Sequence, residues 1–177
     1  MVRKAADFAA KAHEGTFRKG TQIPYIFHPM EVAQIVAMIT REPELIAAAY
    51  LHDVLEDTDV TAEELEREFG SYVLYLVRQK TEDKSLSWKE RKGLAIRHIP
   101  GASRDVKILT LADKLSNMRA SARDYMMFGE EFWLRFNEKN RESHQWYAEG
   151  VIDGLSDLSH LPEYKELCRL YDFIYGA

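Results

Sequence analysis

The chain has 177 residues, a length that suits one domain and buries enough surface to need neither a disulfide nor a structural metal. Its net charge of −5 argues against a nucleic-acid partner, although a local basic cluster can still hold a small anionic ligand. The single cysteine, Cys168, excludes an intramolecular disulfide and favours a reducing compartment. Without a signal-like or membrane-spanning apolar run, we expect a soluble, cytoplasmic protein with no membrane partner.

Apolar residues recur with a helical period along nearly the whole chain. In chain order, the pattern predicts helices over residues 5–13, from about 29 to 39, from 43 through 56, over 61–70, over 71–80, from about 87 to 98 and from 103 to about 125, with two or three more from 130 onward. The third of these helices is so apolar that we expect it to be central and buried. The longest is the helix that begins at residue 103.

Loop and cap signals separate these helices. Glycines and a proline break the pattern over residues 15–24, which is typical of a loop. Thr61 and Glu64 have the spacing of a capping box for a helix that ends at Gly70. No run alternates convincingly between apolar and polar residues, so no strand is predicted. We therefore expect an all-α fold, a single-domain helical bundle over residues 1–177.

Four polar residues lie inside or at the edge of apolar helices, where an uncompensated polar group is costly: His28, His52, Asp53 and Asp113. A divalent cation would supply the partner that such buried groups need. Two imidazoles and two carboxylates suit Mn²⁺, Fe²⁺, Zn²⁺ or Mg²⁺ with positions left for water and substrate. A histidine followed by an aspartate is also common by chance, so this pair alone does not decide for a metal site.

The residues after His52-Asp53 strengthen the metal hypothesis. In one continuous helix, Glu56 would lie one turn beyond the pair on the same face, close enough to orient a water or protonate a leaving oxygen. Asp57 adds a second carboxylate for the same task. The alternative, a solvated acidic helix end, is unfavourable because negative charge at a helix C-terminus opposes the macrodipole.

Two further segments could bind an anionic substrate. Asn117 follows Asp113 by four residues, so both would project from one side of a helix, and Asn117 could donate to a phosphate or sugar. Arg18 and Lys19 lie in the flexible loop before His28, where they could bind phosphates beside the metal. Polar residues on a solvated helix face and a solvated basic loop are the ordinary alternatives.

These segments together resemble the HD-domain superfamily, and within it the hydrolase domain of RelA/SpoT-type proteins and stand-alone small alarmone hydrolases. The matching stretches are residues 9–15, Arg18-Lys19, residues 24–29, 52–58 and 111–119. Their order and spacing hold from about residue 4 to 123, and a weaker likeness continues through His144, Trp146 and Tyr147 to Leu155. A single His-Asp pair would be weak, but five motifs in register form a specific pattern.

The resemblance implies a helical bundle that uses Mn²⁺ to remove the 3′-pyrophosphate from guanosine tetra- and pentaphosphate. It assigns the cation to His28, His52, Asp53 and Asp113. Glu56 and Asp57 would be the catalytic pair that activates water. The residues implied to contact the nucleotide are Arg18, Lys19 and Asn117. The expected partner is thus a small purine nucleotide, and the question of a homo-oligomer stays open.

Two departures from the family pattern concern the substrate rather than the metal. The loop over residues 18–25 differs in length and composition, and Thr110 stands three residues before Asp113, where the family often has lysine. These changes leave the nucleotide open. The alternatives are an HD-type phosphohydrolase acting on adenosine alarmones or nucleoside monophosphates, and a nucleotide-binding module that has lost catalysis.

Overall fold

A computed structural model describes residues 1–176, and they form α-helices joined by turns and loops. The α-helices are α1 (Val2–Ala12), α2 (Phe27–Ile39), α3 (Pro43–Leu51), α4 (Val54–Asp57), α5 (Ala62–Phe69), α6 (Ser71–Arg78), α7 (Trp88–His98), α8 (Arg104–Phe128), α9 (Arg141–Gly154) and α10 (Pro162–Tyr175). Residues 1–176 contain no β-strand beyond one isolated bridge between Phe17 and Pro24. The predicted all-α fold is confirmed. Within the same residues, every helix is too short or too polar to cross a membrane.

The helices are organised in two compact units. The first consists of Met1–Glu82 with Arg104–Asp113, and the second of Asp83–Ser103 with the chain from Lys114 onward. Helix α8 runs from the first unit into the second. The expectation of a single domain over residues 1–177 stays a prediction.

Helix α3 forms the centre of the first unit, as its apolar sequence predicts. It packs against α1, α2 and α6. Leu45, Leu51 and the run Ala47–Ala49 are fully buried. Because alanine side chains are small, neighbouring helices can approach α3 closely, and polar groups attached to its end are carried into the interior.

The prediction of one continuous helix from residue 43 through 56 was wrong, because the structure breaks it into two helices. Helix α3 ends at Leu51, His52 and Asp53 form a turn, and α4 begins at Val54. The carbonyl of Asp53 accepts hydrogen bonds from the amides of Glu56 and Asp57, at 3.1 and 2.9 Å. Glu56 and Asp57 therefore belong to a separate helical turn that starts at Asp53, and the argument from the C-terminus of a long helix does not apply.

Helix caps fix the ends of the elements that surround the centre of the first unit. The Thr61 hydroxyl accepts a hydrogen bond from the Glu64 amide at 3.1 Å, which confirms the predicted cap of α5. Gly70 ends α5 with a φ of 88°, a left-handed conformation that glycine adopts without strain. The chain then continues into α6. The segment that follows Arg78 contacts polar groups of α8.

The second unit has its own aromatic core. Ala122, Phe132, Trp133 and Ile174 form a buried cluster, and Tyr125 packs against it. Helix α7 lies against α9, and the approach is close at Gly150, where an added Cβ would lie 2.6 Å from Ile96 Cδ1. The predicted helices after residue 130 correspond to α9 and α10.

Candidate metal centre

Three buried side chains converge in the first unit. His28 comes from α2, His52 follows α3, and Asp113 comes from α8. One ligand atom of each lies within 4.8 Å of the others, an arrangement that could hold a metal ion. All three residues are at most 5% exposed. The structure thus brings together three of the four predicted ligands, although Asp113 follows His52 by 61 positions in the chain. Their role as metal ligands stays a prediction.

Asp53 lies at the edge of this group. Its Oδ2 is 3.0 Å from His52 Nε2 and 3.6 Å from His28 Nε2. Its side chain is 19% exposed, so it lies between the buried histidines and solvent. Burial would raise the pKa of this carboxyl, but the charge of His52 outweighs burial and lowers the pKa well below its usual range. Asp53 is therefore an anion beside two imidazoles.

His52 is oriented by the backbone of α3. Its Nδ1 donates a hydrogen bond to the Ala49 carbonyl at 2.8 Å, because a carbonyl oxygen can only accept. When the ring is neutral, this hydrogen bond leaves Nε2 unprotonated and directed at the cluster, the orientation that metal-binding histidines usually take. Nε2 is buried and makes no hydrogen bond within residues 1–176, although Asp53 Oδ2 lies nearby. Because Nε2 and Oδ2 lie 3.0 Å apart, either a proton on Nε2 or a cation bound between the two atoms would satisfy both.

The electrostatic surroundings of His28 and His52 also favour a bound metal ion. Burial lowers the pKa of His28 below its ordinary value, which favours the neutral ring that a metal needs. Burial also opposes charge on His52, but the carboxylates of Asp53 and Asp113 raise its pKa above the ordinary value. The negative field that draws a proton to His52 would equally draw a metal cation, which would displace that proton. The residues therefore fit a divalent metal.

Tyr25 is a site residue that the sequence analysis did not identify. Its hydroxyl donates to Asp53 Oδ2 at 2.7 Å and lies 3.5 Å from Asp57 Oδ2. Burial and the neighbouring Asp53 charge raise the pKa of the phenol, so it stays a donor. Tyr25 thus links the cluster to α4. A tyrosine in a loop, 28 residues before Asp53, gives no periodic signal of such a contact.

The structure places Glu56 and Asp57 on α4, next to Asp53 in the chain. Glu56 is half-buried, and its Oε2 accepts a hydrogen bond from the Glu82 amide at 3.2 Å. Burial raises the pKa of Glu56 above its usual value, and the nearby Asp57 and Glu82 charges add to this effect. Asp57 is exposed. The two adjacent carboxyls therefore differ in environment, one half-buried and the other exposed.

Arg18 and Lys19 lie in a tight loop. The loop is closed by hydrogen bonds from the Arg18 amide to the Ile23 carbonyl at 2.8 Å and from the Tyr25 amide to the Thr16 carbonyl at 2.9 Å. The Arg18 guanidinium carbon lies 5.8 Å from the centre of the Tyr25 ring. Because Tyr25 contacts Asp53, this loop brings a basic side chain to the edge of the cluster. Lys19 is exposed in the same loop.

Asn117 and Tyr147 belong to the second unit. Asn117 is half-buried on α8, four residues after Asp113. Tyr147 on α9 has the ammonium groups of Lys92 and Lys114 at 5.1 and 5.5 Å from its ring centre. The Arg119 guanidinium forms a bidentate ion pair with the Glu166 carboxylate, with distances of 2.7 and 2.9 Å. Substrate contact by Asn117 stays a prediction.

Comparison with known proteins decides the family. A family model described as HD domain matches residues 5–127. The chain belongs to the HD domain family. Guanosine-3′,5′-bis(diphosphate) 3′-pyrophosphohydrolase MESH1 of Xenopus tropicalis is 38% identical over 93% of this chain and 90% of its own length. The protein of the same name from Homo sapiens is 39% identical over 88% of this chain and 84% of its own.

A solved structure agrees with these sequence relatives. It is described as a metazoan ortholog of SpoT that hydrolyses ppGpp and plays a role in starvation responses. It superposes with a TM-score of 0.81 at 31% identity, covering 96% of this chain and 93% of that one. The predicted resemblance is confirmed along nearly the whole chain.

The cluster predicts how metal binding responds to substitution at Asp53. We expect Asp53→Ala to reduce bound divalent metal to roughly a tenth or less of the wild-type content, because an anion beside both histidines is lost. The helical circular-dichroism spectrum should persist, since the Asp53 backbone still begins α4. Metal content after dialysis against a trace divalent cation measures the effect. Asp59→Ala, an exposed acid nearby, is the matched control. Equal metal content in the two variants would contradict the assignment.

Proposed function

We propose that this chain is a stand-alone hydrolase that removes the 3′-pyrophosphate from guanosine tetra- and pentaphosphate. The observation that carries the proposal is the buried group of His28, His52 and Asp113. It occurs in a chain whose relatives, matched along most of their length, are named as enzymes of this activity. The reaction breaks the bond between the ribose 3′ oxygen and phosphorus. Water supplies the new oxygen on phosphorus and the proton on the 3′ oxygen.

We propose Mn²⁺ as the cation of this site. The atoms that would hold it are Nε2 of His28 and His52 with carboxylate oxygens of Asp53 and Asp113. Such a mixed nitrogen and oxygen set suits Mn²⁺, Fe²⁺, Zn²⁺ or Mg²⁺, and the resemblance to RelA/SpoT-type hydrolases favours Mn²⁺ among them. When bound, the cation polarises a phosphate oxygen and lowers the pKa of water that it coordinates. The protein contributes the fixed orientation of the rings and the burial that excludes other water.

Glu56 and Asp57 are the proposed catalytic pair. The Glu82 amide donates to Oε2 of Glu56 and so fixes the carboxyl in a position from which it would orient the attacking water. A raised pKa suits Glu56 to take a proton from water and to return one to the departing 3′ oxygen. Asp57 lies at the exposed edge, where the Tyr25 hydroxyl links it to Asp53. The negative charge of Asp57 would stabilise the protonated form of Glu56.

The proposed nucleotide contacts are Arg18, Lys19 and Asn117. Arg18 lies over the Tyr25 ring and can turn a planar fork toward phosphate, and exposed Lys19 adds a second charge. Asn117 would donate to a phosphate or the ribose. Net charge of the chain is −5, so these local cations matter for attracting a polyanion.

The proposal includes a small purine nucleotide as the partner and the cytoplasm as the location. Neither nucleic acid nor membrane is expected to bind. The oligomeric state is left open, since the residues of the metal group all come from one chain.

A product assay tests the proposed reaction. With Mn²⁺ present, we expect guanosine tetraphosphate to yield guanosine diphosphate and pyrophosphate in equal amounts, and pentaphosphate to yield guanosine triphosphate. The panel should include adenosine polyphosphates and nucleoside monophosphates, each with metal and with chelator. Release of orthophosphate, or turnover only of adenosine compounds, would contradict the proposal. Ligand-induced stabilisation without turnover would instead show a binding module.

Substitution of Glu56 separates catalysis from metal binding. We expect Glu56→Gln to lower kcat roughly a hundredfold or more, because the amide cannot exchange protons. Its manganese content should stay at the wild-type level, since Glu56 is not among the metal group. Steady-state kinetics and metal analysis on one preparation give both readings. Glu66→Gln, on an exposed part of α5, should change neither. A wild-type kcat in Glu56→Gln would remove Glu56 from the mechanism.

A further inference from the structure

Lys80 brings a positive charge into the buried cluster. Its Nζ lies 3.1 Å from Asp113 Oδ2, and the two side chains are 10% and 7% exposed. Nζ also donates to Thr110 Oγ1 at 3.4 Å, one turn before Asp113 on α8. A lysine this deep is ordinarily costly and needs a specific anionic partner. Here the partner is a carboxylate of the metal group.

The backbone around Lys80 is fixed. The Lys80 amide donates to the Val77 carbonyl at 2.9 Å, and the Thr81 hydroxyl donates to the same carbonyl at 3.1 Å. Two residues on, the Glu82 amide donates to Glu56. One short segment after α6 therefore contacts two functional carboxylates, Asp113 through a side chain and Glu56 through the backbone. This arrangement suits a segment that positions the site.

Lys80 divides the two oxygens of Asp113 between different partners. Oδ2 faces Lys80, whereas Oδ1 faces the histidines, at 3.5 Å from His28 Nε2 and 3.9 Å from His52 Nε2. We propose that Lys80 is a positioning residue that holds Asp113 with one oxygen toward the cation. The charge of Lys80 also makes the site bind the metal more weakly than the same ligands would without it. The inference rests on the metal centre of the proposed function.

The sign of the affinity effect follows from charge. Without a cation, Lys80 offsets the buried Asp113 anion and so stabilises the metal-free protein. With a divalent cation on the other oxygen of Asp113, the ammonium and the metal repel each other across one carboxylate in a poorly screened interior. Removal of the Lys80 charge therefore destabilises the metal-free state more than the loaded state. By linkage, the variant binds metal more tightly.

The test is a titration of metal-stripped full-length protein with Mn²⁺. We expect Lys80→Met to lower the Kd for Mn²⁺ roughly tenfold or more and to lower the melting temperature of the metal-free protein more than that of the loaded protein. Lys80→Gln, which keeps a donor for Asp113 but no charge, should also bind Mn²⁺ more tightly and serves if Lys80→Met does not fold. Lys80→Arg keeps the charge and should restore a Kd within a few-fold of wild type.

The controls separate this inference from the proposed function. Lys89→Met, an exposed lysine on α7, should leave the Kd unchanged. A wild-type protein that binds Mn²⁺ while both neutral variants bind it no more tightly overturns the role of Lys80 alone. A wild-type protein that binds no Mn²⁺ overturns the metal centre and Lys80 with it. Failure to release pyrophosphate, in a protein that shows the predicted Kd changes, overturns only the substrate assignment.

Discussion

The structure of the first unit depends on two carboxylates that lie beside two buried imidazoles. His28, His52 and Asp113 are nearly inaccessible to water, and Asp53 adds a second anion at their edge. An apolar interior penalises such groups unless a cation completes them. The protein itself compensates part of this negative charge, because Lys80 pairs with one oxygen of Asp113 and the Tyr25 hydroxyl donates to Asp53. A divalent metal would compensate the remainder.

The surrounding helices place these charged and polar groups in the interior. The alanine-rich α3 packs closely enough to seat His52 in the interior, and its last turn supplies the carbonyl that fixes the His52 tautomer. The chain then leaves the helix for two residues, so that Asp53 contacts both histidines before α4 begins. The same turn starts the short helix that carries Glu56 and Asp57. One backbone turn therefore positions both a predicted metal ligand, Asp53, and the proposed catalytic pair.

The sequence predicted what depends on local pattern and on motif. Helix periods gave the all-α fold, the Thr61 cap was read correctly, and His28, His52 and Asp113 were grouped because polar residues in apolar helices need partners. The break at His52-Asp53 was missed because those residues keep helix-like backbone angles and no glycine or proline marks the break. Tyr25 and Lys80 were missed because their contacts join distant segments, which periodicity does not report.

Anomalous X-ray diffraction from crystals grown with Mn²⁺ would show whether one divalent cation binds among these side chains. We expect a strong manganese peak within coordination distance of Nε2 of His28 and His52 and of the carboxylates of Asp53 and Asp113. Lys80 should still contact the other oxygen of Asp113. Manganese peaks only on surface carboxylates, with the histidines paired directly to the aspartates, would show that these residues do not form a metal site.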